Sequence, residues 1–288
     1  MARFTNEKQK RLGRLVTLAL IGATVSFGMT GTASAFEEHY VITDAQVHDG
    51  GPLLTWRSQT GAGTQTISDD KVVISMTAPV ISASGCVNGH NTYGYSVIKT
   101  DGSAAAKFDI DGTKGVSITS IGNPVLTDDN FMRGTEDKNY KKSNVLTARD
   151  KSSITINSAD GDVHLNLADE VAPANRDGSY NLIIPFYKGY SSQSNVVRVQ
   201  TGSKVSLKGK NVTVSMVGKE QADGTHYYDP DVQYGYNYGF NLTEKGSSAE
   251  MIATNGNNCI TMENAGTEFS YGAAVWNDCQ FTAQALKG

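Results

Sequence analysis

Asp109 and Asp111 in the stretch FDIDG would share one face of a strand, because strand side chains alternate. Two carboxylates on one face suit acid and base work on a glycan, in glycoside cleavage or lyase chemistry. Phe108 and Ile110 supply the simpler reading, in which the two acids are the solvent-facing partners of an inward apolar pair. Glu37-Glu38-His39 places two carboxylates beside an imidazole, the components of a metal or acid–base site. The alternative is a frayed polar N-terminus. Asp223, Asp229 and Asp231 around HYYDPD have the oxygen density of a calcium site. No EF-hand loop or G-G-x-G-x-D repeat accompanies them, which leaves turn carboxylates. His39, His48, His90, His164 and His226 are scattered, and HExxH, G-x-S-x-G, P-loop and paired CxxC motifs are missing. These residues imply no metal, no cofactor and no catalytic step.

The stretch HYYDPDVQYGYNYGF crowds Tyr227, Tyr228, Tyr234, Tyr236, Tyr238 and Phe240. Tyrosine joins apolar area to a hydroxyl and stacks well on sugars and proteins. On a loop these side chains would form a contact surface, and Tyr227, Tyr228, Tyr234 and Tyr236 are its candidate residues. Alternatively Tyr234, Tyr236, Tyr238 and Phe240, two apart, make one packed strand face. Cys86, Cys259 and Cys279 are few for a disulfide scaffold. A Cys259–Cys279 pair would leave Cys86 over; otherwise all three are small buried residues. Asn211-Val-Thr and Asn241-Leu-Thr match the glycosylation triplet, a pattern of little weight alone.

The elements that must carry these residues are read from SKVSLKGKNVTVSMVG, residues 203–218. Val205 and Leu207 alternate on one side of Lys208-Gly209-Lys210-Asn211, and Val212, Val214 and Met216 on the other. Locally this fits a hairpin as well as a corner between two strands of a coil. Recurrence separates the two. The same double unit appears as Ile67/Val72, Ile110/Val116, Ile156/Val163, Leu207/Val212 and Ile252/Ile260, about 45 residues apart, within the range of repeat arrays. The stretch from Tyr93, YGYSVIKTDGSAAAKFDIDGTKGVSIT, matches YGFNLTEKGSSAEMIATNGNNCITM from Tyr238, and YGAAVWND begins another unit at Tyr271. Three short strands per unit, separated by Gly or Asn turns, make one circuit of a parallel β-helix, whose circuits must stack to bury their apolar faces. The expected fold is all-β, a right-handed parallel β-helix, with a β-sandwich or an irregular all-β domain as the alternative.

The N-terminus carries Arg3, Lys8, Lys10, Arg11 and Arg14, then an apolar run over 15–29 and the A-x-A pattern Ala33-Ser34-Ala35. This reads as a signal peptide, residues 1–35, cleaved after Ala35, with a retained anchor as the alternative. Removing the five basic residues and Glu7 from totals of 25 and 29 leaves 20 Lys and Arg against 28 Asp and Glu in residues 36–288. That acidic balance argues against a nucleic-acid partner.

The leader NEKQKRLGRLVTLALIGATVSFGMTGTASA and the body stretches YGYSVIKTDGSAAAKFDI and SKVSLKGKNVTV together resemble autotransporter surface proteins of double-membraned bacteria. The resemblance implies a β-helical passenger over 36–288, exported to the cell surface, the outer membrane or the medium. It implies an adhesin without enzymatic activity, contacting glycans or proteins of a host or a neighbouring cell. It also implies an outer-membrane barrel that the sequence ending FTAQALKG does not contain, so residues 36–288 are read as a truncated passenger. Two other classes remain: a secreted polysaccharide-active β-helix enzyme built on Asp109 and Asp111, and a structural spacer without a ligand.

Overall fold

The computed structural model describes residues 34–41, 54–77, 94–121, 142–168, 193–217, 236–263 and 269–286. All lie in the second of the two units into which the chain divides, Ser34–Gly288. Among the described residues there is no helix, and every strand pairing is parallel.

Six strands form one sheet: β2 (Leu54–Thr60), β4 (Gly94–Asp101), β6 (Lys142–Ala148), β9 (Gln193–Gln200), β12 (Tyr236–Thr243) and β15 (Phe269–Val275). They lie side by side in chain order, so each neighbour is reached by passing through the other sheet. That sheet has ten strands: β1 (Ala35–Val41), β3 (Gly63–Thr77), β5 (Ala106–Ile121), β7 (Ser153–Asn157), β8 (Val163–Ala168), β10 (Lys204–Gly209), β11 (Val212–Val217), β13 (Ser248–Ala253), β14 (Asn258–Glu263) and β16 (Gln280–Ala285). It forks at β5, whose first half pairs with β7 and second half with β8. From there β7, β10, β13 and β16 form one branch, and β8, β11 and β14 the other.

The fork settles the corner at Lys208–Asn211. β10 pairs with β7 and β13, and β11 with β8 and β14, so the segment turns a corner and is not a hairpin. Hydrogen bonds between successive corners hold it. The Asn211 main-chain N–H and its Nδ2 both donate to Asp162 Oδ1, at 3.1 and 2.9 Å, and the Asn257 N–H donates to Asn211 Oδ1 at 3.0 Å. Antiparallel sandwich pairing does not occur among the described strands.

Alternation places the core. Ile67, Ile110, Ile156, Leu207 and Met251 stand in register, as do Val72, Val116, Val163 and Val212, and all belong to one buried apolar cluster. Stacking like residues at one strand spacing keeps this interior filled. Two details of the expected repeat are corrected. Met251 takes the inward place in β13 while Ile252 aligns with Lys208, and Ile260 aligns with Val214 where Val212 was expected. Tyr93 and Tyr238 are also not equivalent: Ser96, Asn144, Asn195 and Tyr238 share a register position. Matching the sequences at their Tyr-Gly starts slid the frame by three residues in this strand. The Tyr238–Tyr271 equivalence holds, with the rings stacked 5.6 Å apart.

Candidate functional site

The six-stranded sheet carries an unusual outer face. Its register skips one position at Val97, Val145 and Gly239, and Val97–Ile98, Val145–Leu146 and Val196–Val197 are consecutive core residues. Two inward residues in succession require the strand to bend there. The bend brings the flanking outward positions together across strands. Ser96 Oγ lies 2.7 Å from Thr147 Oγ1, Asn195 Nδ2 donates to Asn144 Oδ1 at 2.7 Å, and Asn241 Nδ2 donates to Asn195 Oδ1 at 2.9 Å. All five residues are buried. Buried amides and hydroxyls must be paired, and these bonds across strands supply part of that pairing.

Beside the ladder, Arg198 of β9 sits between Thr147 and Asn241 in register. Its Nε is buried and has no hydrogen-bond partner among the described residues. Burial, together with the positive charge of Arg149, pulls the guanidinium down to about 10, with Glu244 opposing. Lys99 on the same face is ion-paired with Asp101. Burial would raise the Asp101 carboxyl, but hydrogen bonds from Lys99 and Thr60 and the charges of Lys99 and Arg149 bring it below the usual value. Gln200 Nε2 donates to Thr243 Oγ1 at 3.2 Å, adding to the polar groups of this face.

Asp109 and Asp111 lie on the outer face of β5, with Phe108 and Ile110 buried behind them. Asn157 Nδ2 donates to Asp111 Oδ1 at 3.1 Å. This is the solvent-facing pattern that alternation implies. Glu37-Glu38-His39 belongs to β1, an ordered strand paired with β3 from Ala35↔Lys71 onward, so the frayed-terminus expectation is corrected. His39 meets Glu37 and Ser75. Glu38 pairs with Arg57 at 3.0 Å, and that guanidinium lies 4.5 Å from the Trp56 ring centre. No group of three or more metal-ligating side chains occurs among the described residues, and no helix among them is long and apolar enough to cross a membrane.

Tyr227, Tyr228 and Tyr234 lie outside the described residues, as do Asp223, Asp229, Asp231, Cys86 and Ala33; Tyr236 opens β12, its side chain also outside them. Tyr238 and Phe240 are buried but do not share a face, because the bend at Gly239 intervenes: Tyr238 stacks on Tyr271, whereas Phe240 packs on Phe281 at 4.8 Å. Cys259 and Cys279 are free. Cys259 is exposed on β14, while Cys279 packs against the core and donates to the Glu244 carbonyl at 3.0 Å. They face different surroundings, and the expected pairing is not formed.

Connections of very unequal length mark a second feature. Segments 42–53, 78–93, 122–141, 169–192 and 218–235, of 12 to 24 residues, join the ends of β1, β3, β5, β8 and β11 to the next strand of the six-stranded sheet, whereas the remaining connections, 264–268 among them, take two to five residues. All six prolines, at 52, 79, 124, 173, 185 and 230, fall in these segments. Proline cannot donate to a ladder, so its positions were a readable signal for this edge. The Arg198 row left no such signal, since its partners lie on strands far apart in sequence. Comparison of the chain with protein-family models, curated proteins and solved structures finds no match.

Proposed function

We propose that this chain is an exported surface protein, the passenger segment of an autotransporter-like adhesin, built as a right-handed parallel β-helix and acting by contact, without a chemical step. The observation that carries the reading is the combination of parallel, in-register strand rows with long connections confined to one edge. A stacked coil is stiff along its length, and insertions on one face of a repeat array are where such arrays bind. The segment 218–235, with Tyr227, Tyr228 and Tyr234, leaves from that edge between β11 and β12. Its partners in this reading are glycans or proteins of a host or neighbouring cell, and many copies on one surface would multiply weak contacts.

The test replaces Tyr227, Tyr228 and Tyr234 with Ser and measures adhesion to cells and to a glycan array. Loss of about tenfold or more in apparent affinity is expected if these side chains supply stacking contacts. Unchanged adhesion by a folded variant overturns the contact assignment.

A further inference from the structure

We infer that the face formed by β14, β15 and β16 is a docking surface for a second copy of this chain, which meets it through the same face, and that Glu38 and Arg57 close the opposite end of the strand rows to such contact. The inference goes beyond the proposed tyrosine surface, uses none of its residues and stands or falls apart from the adhesin reading.

The two ends of the rows differ in what they set over the core. Each of β14, β15 and β16 is the last strand of its row, with one neighbour in its sheet among the described residues, and β14 lies against both of the others. Four inward rows show the contrast. They begin at Glu38, Arg57, Gln59 and Gln65 and end at Ile260, Ala273, Val275 and Phe281. Every residue between is buried. The polar side chains at the start bond within their own end. Arg57 Nη2 donates to Glu38 Oε1 at 3.0 Å, Gln59 Nε2 to the Gly61 carbonyl at 3.2 Å and Gln65 Nε2 to the Ser58 carbonyl at 2.7 Å. At the finish the same rows are apolar. The exposed large hydrophobics among the described residues, Tyr271, Val275, Trp276 and Leu286, all lie on β15 or directly after β15 or β16.

The contrast selects the occupant. Laying the apolar face on the Glu38–Arg57 end of another copy would strip water from an ion pair and leave it against apolar side chains, at a cost. Laying the face on its own counterpart buries apolar side chains on both sides. A two-fold axis across the face reverses strand direction, so the three edges meet antiparallel, a pairing that fills their open ladders. Glu263 is the one charged residue in these three strands, so like charges do not oppose the contact. The face is also large enough. β14, β15 and β16 contain six, seven and six residues, and with Trp276 and Leu286 they reach the about 20–30 residues a side of a stable interface. A contact of one patch with itself is closed, so it stops at two copies.

The test is sedimentation velocity of the full 288-residue chain from about 1 to 100 μM, a range that spans micromolar dissociation constants. A monomer–dimer equilibrium without larger species is expected. Val275→Lys puts a charge on the face at a side chain already 45% exposed, and it should weaken the dimer about tenfold or more with little change in Tm. Glu38→Ile combined with Arg57→Leu should add species that grow beyond the dimer with concentration, because the opposite end then accepts the apolar face. Amide exchange in β15 and β16 should slow as the unmodified chain dimerises. A chain that stays monomeric to about 100 μM overturns the proposal, and so does a Val275→Lys dimer as tight as the unmodified one. Growth of the unmodified chain beyond the dimer overturns the role of Glu38 and Arg57. So does a folded Glu38→Ile, Arg57→Leu variant that stops at the dimer. The unmodified chain and Val275→Lys keep the test decisive should the double variant not fold.

Discussion

His164 shows how one side chain writes a pH dependence into the fold. It lies on β8 between Ser117 and Thr213, with its Nε2 2.9 Å from Ser215 Oγ. Burial lowers its pKa below the ordinary 6.5. The unfolded chain therefore takes up a proton at a pH where the folded chain does not. Stability is full above 6.5 and falls as pH drops from there toward the folded value. Urea midpoints measured from pH 8 to 5 should decline with acidification, and His164→Gln should flatten the part of the decline that begins near neutrality. An equally steep decline in the variant would assign the effect to other groups. Arg198 differs in kind. Even at about 10 its guanidinium stays charged at neutral pH, so its burial cost is present across the working range.

At the scale of an element, the bend in the six-stranded sheet depends on what fits at one register position. Val97, Val145 and Val196 fill it in earlier strands, and Gly239 holds it in β12. A Cβ on Gly239 would sit 2.4 Å from the Gly272 carbonyl oxygen and 2.7 Å from Ile260 Cγ2. Gly239→Ala should cost about 1–3 kcal/mol, the usual range for overpacking, read as a lower urea midpoint at unchanged slope. Gly272→Ala is the matched control. Its Cβ would lie 3.5 Å from Ile260 Cγ2, an ordinary contact, so its effect should be smaller. Equal losses would show that the close approach at Gly239 relaxes without cost.

At the scale of the whole molecule, burial is graded along the rows. Strands in the middle of the rows, such as β7, β8 and β10, bury every inward side chain. In β16 only Phe281 is sheltered, and Tyr271, Val275, Trp276 and Leu286 are the exposed large hydrophobics among the described residues, Trp276 at 57%. A repeat array derives its stability from interfaces between neighbouring units, so opening should begin where a unit has one described neighbour. Native-state hydrogen exchange should find β15 and β16 the least protected strands and β7, β8 and β10 the most protected. Uniform protection across all sixteen strands would indicate a single cooperative unit.

The sequence by itself determined the all-β character, the recurrence of the strand units and the inward side of most strands. Each is a local property: alternation at Val205/Leu207 or Phe108/Ile110 follows from the strand period, whatever the partner strand is. The proline positions carried the long connections in the same local way. What the sequence left open was set by pairing between residues more than forty positions apart. A corner at Lys208–Asn211 and a hairpin there have the same local pattern, and only the partners β7, β13, β8 and β14 distinguish them. The three-residue shift between Tyr93 and Tyr238 shows only in the strand register, and the exchange of Ile252 for Met251 follows from a turn one residue shorter before β13 than before β5. The Arg198 row exists only when β4, β6, β9 and β12 stand side by side. In sequence its members are isolated polar residues; in the stacked sheet one strand spacing separates them.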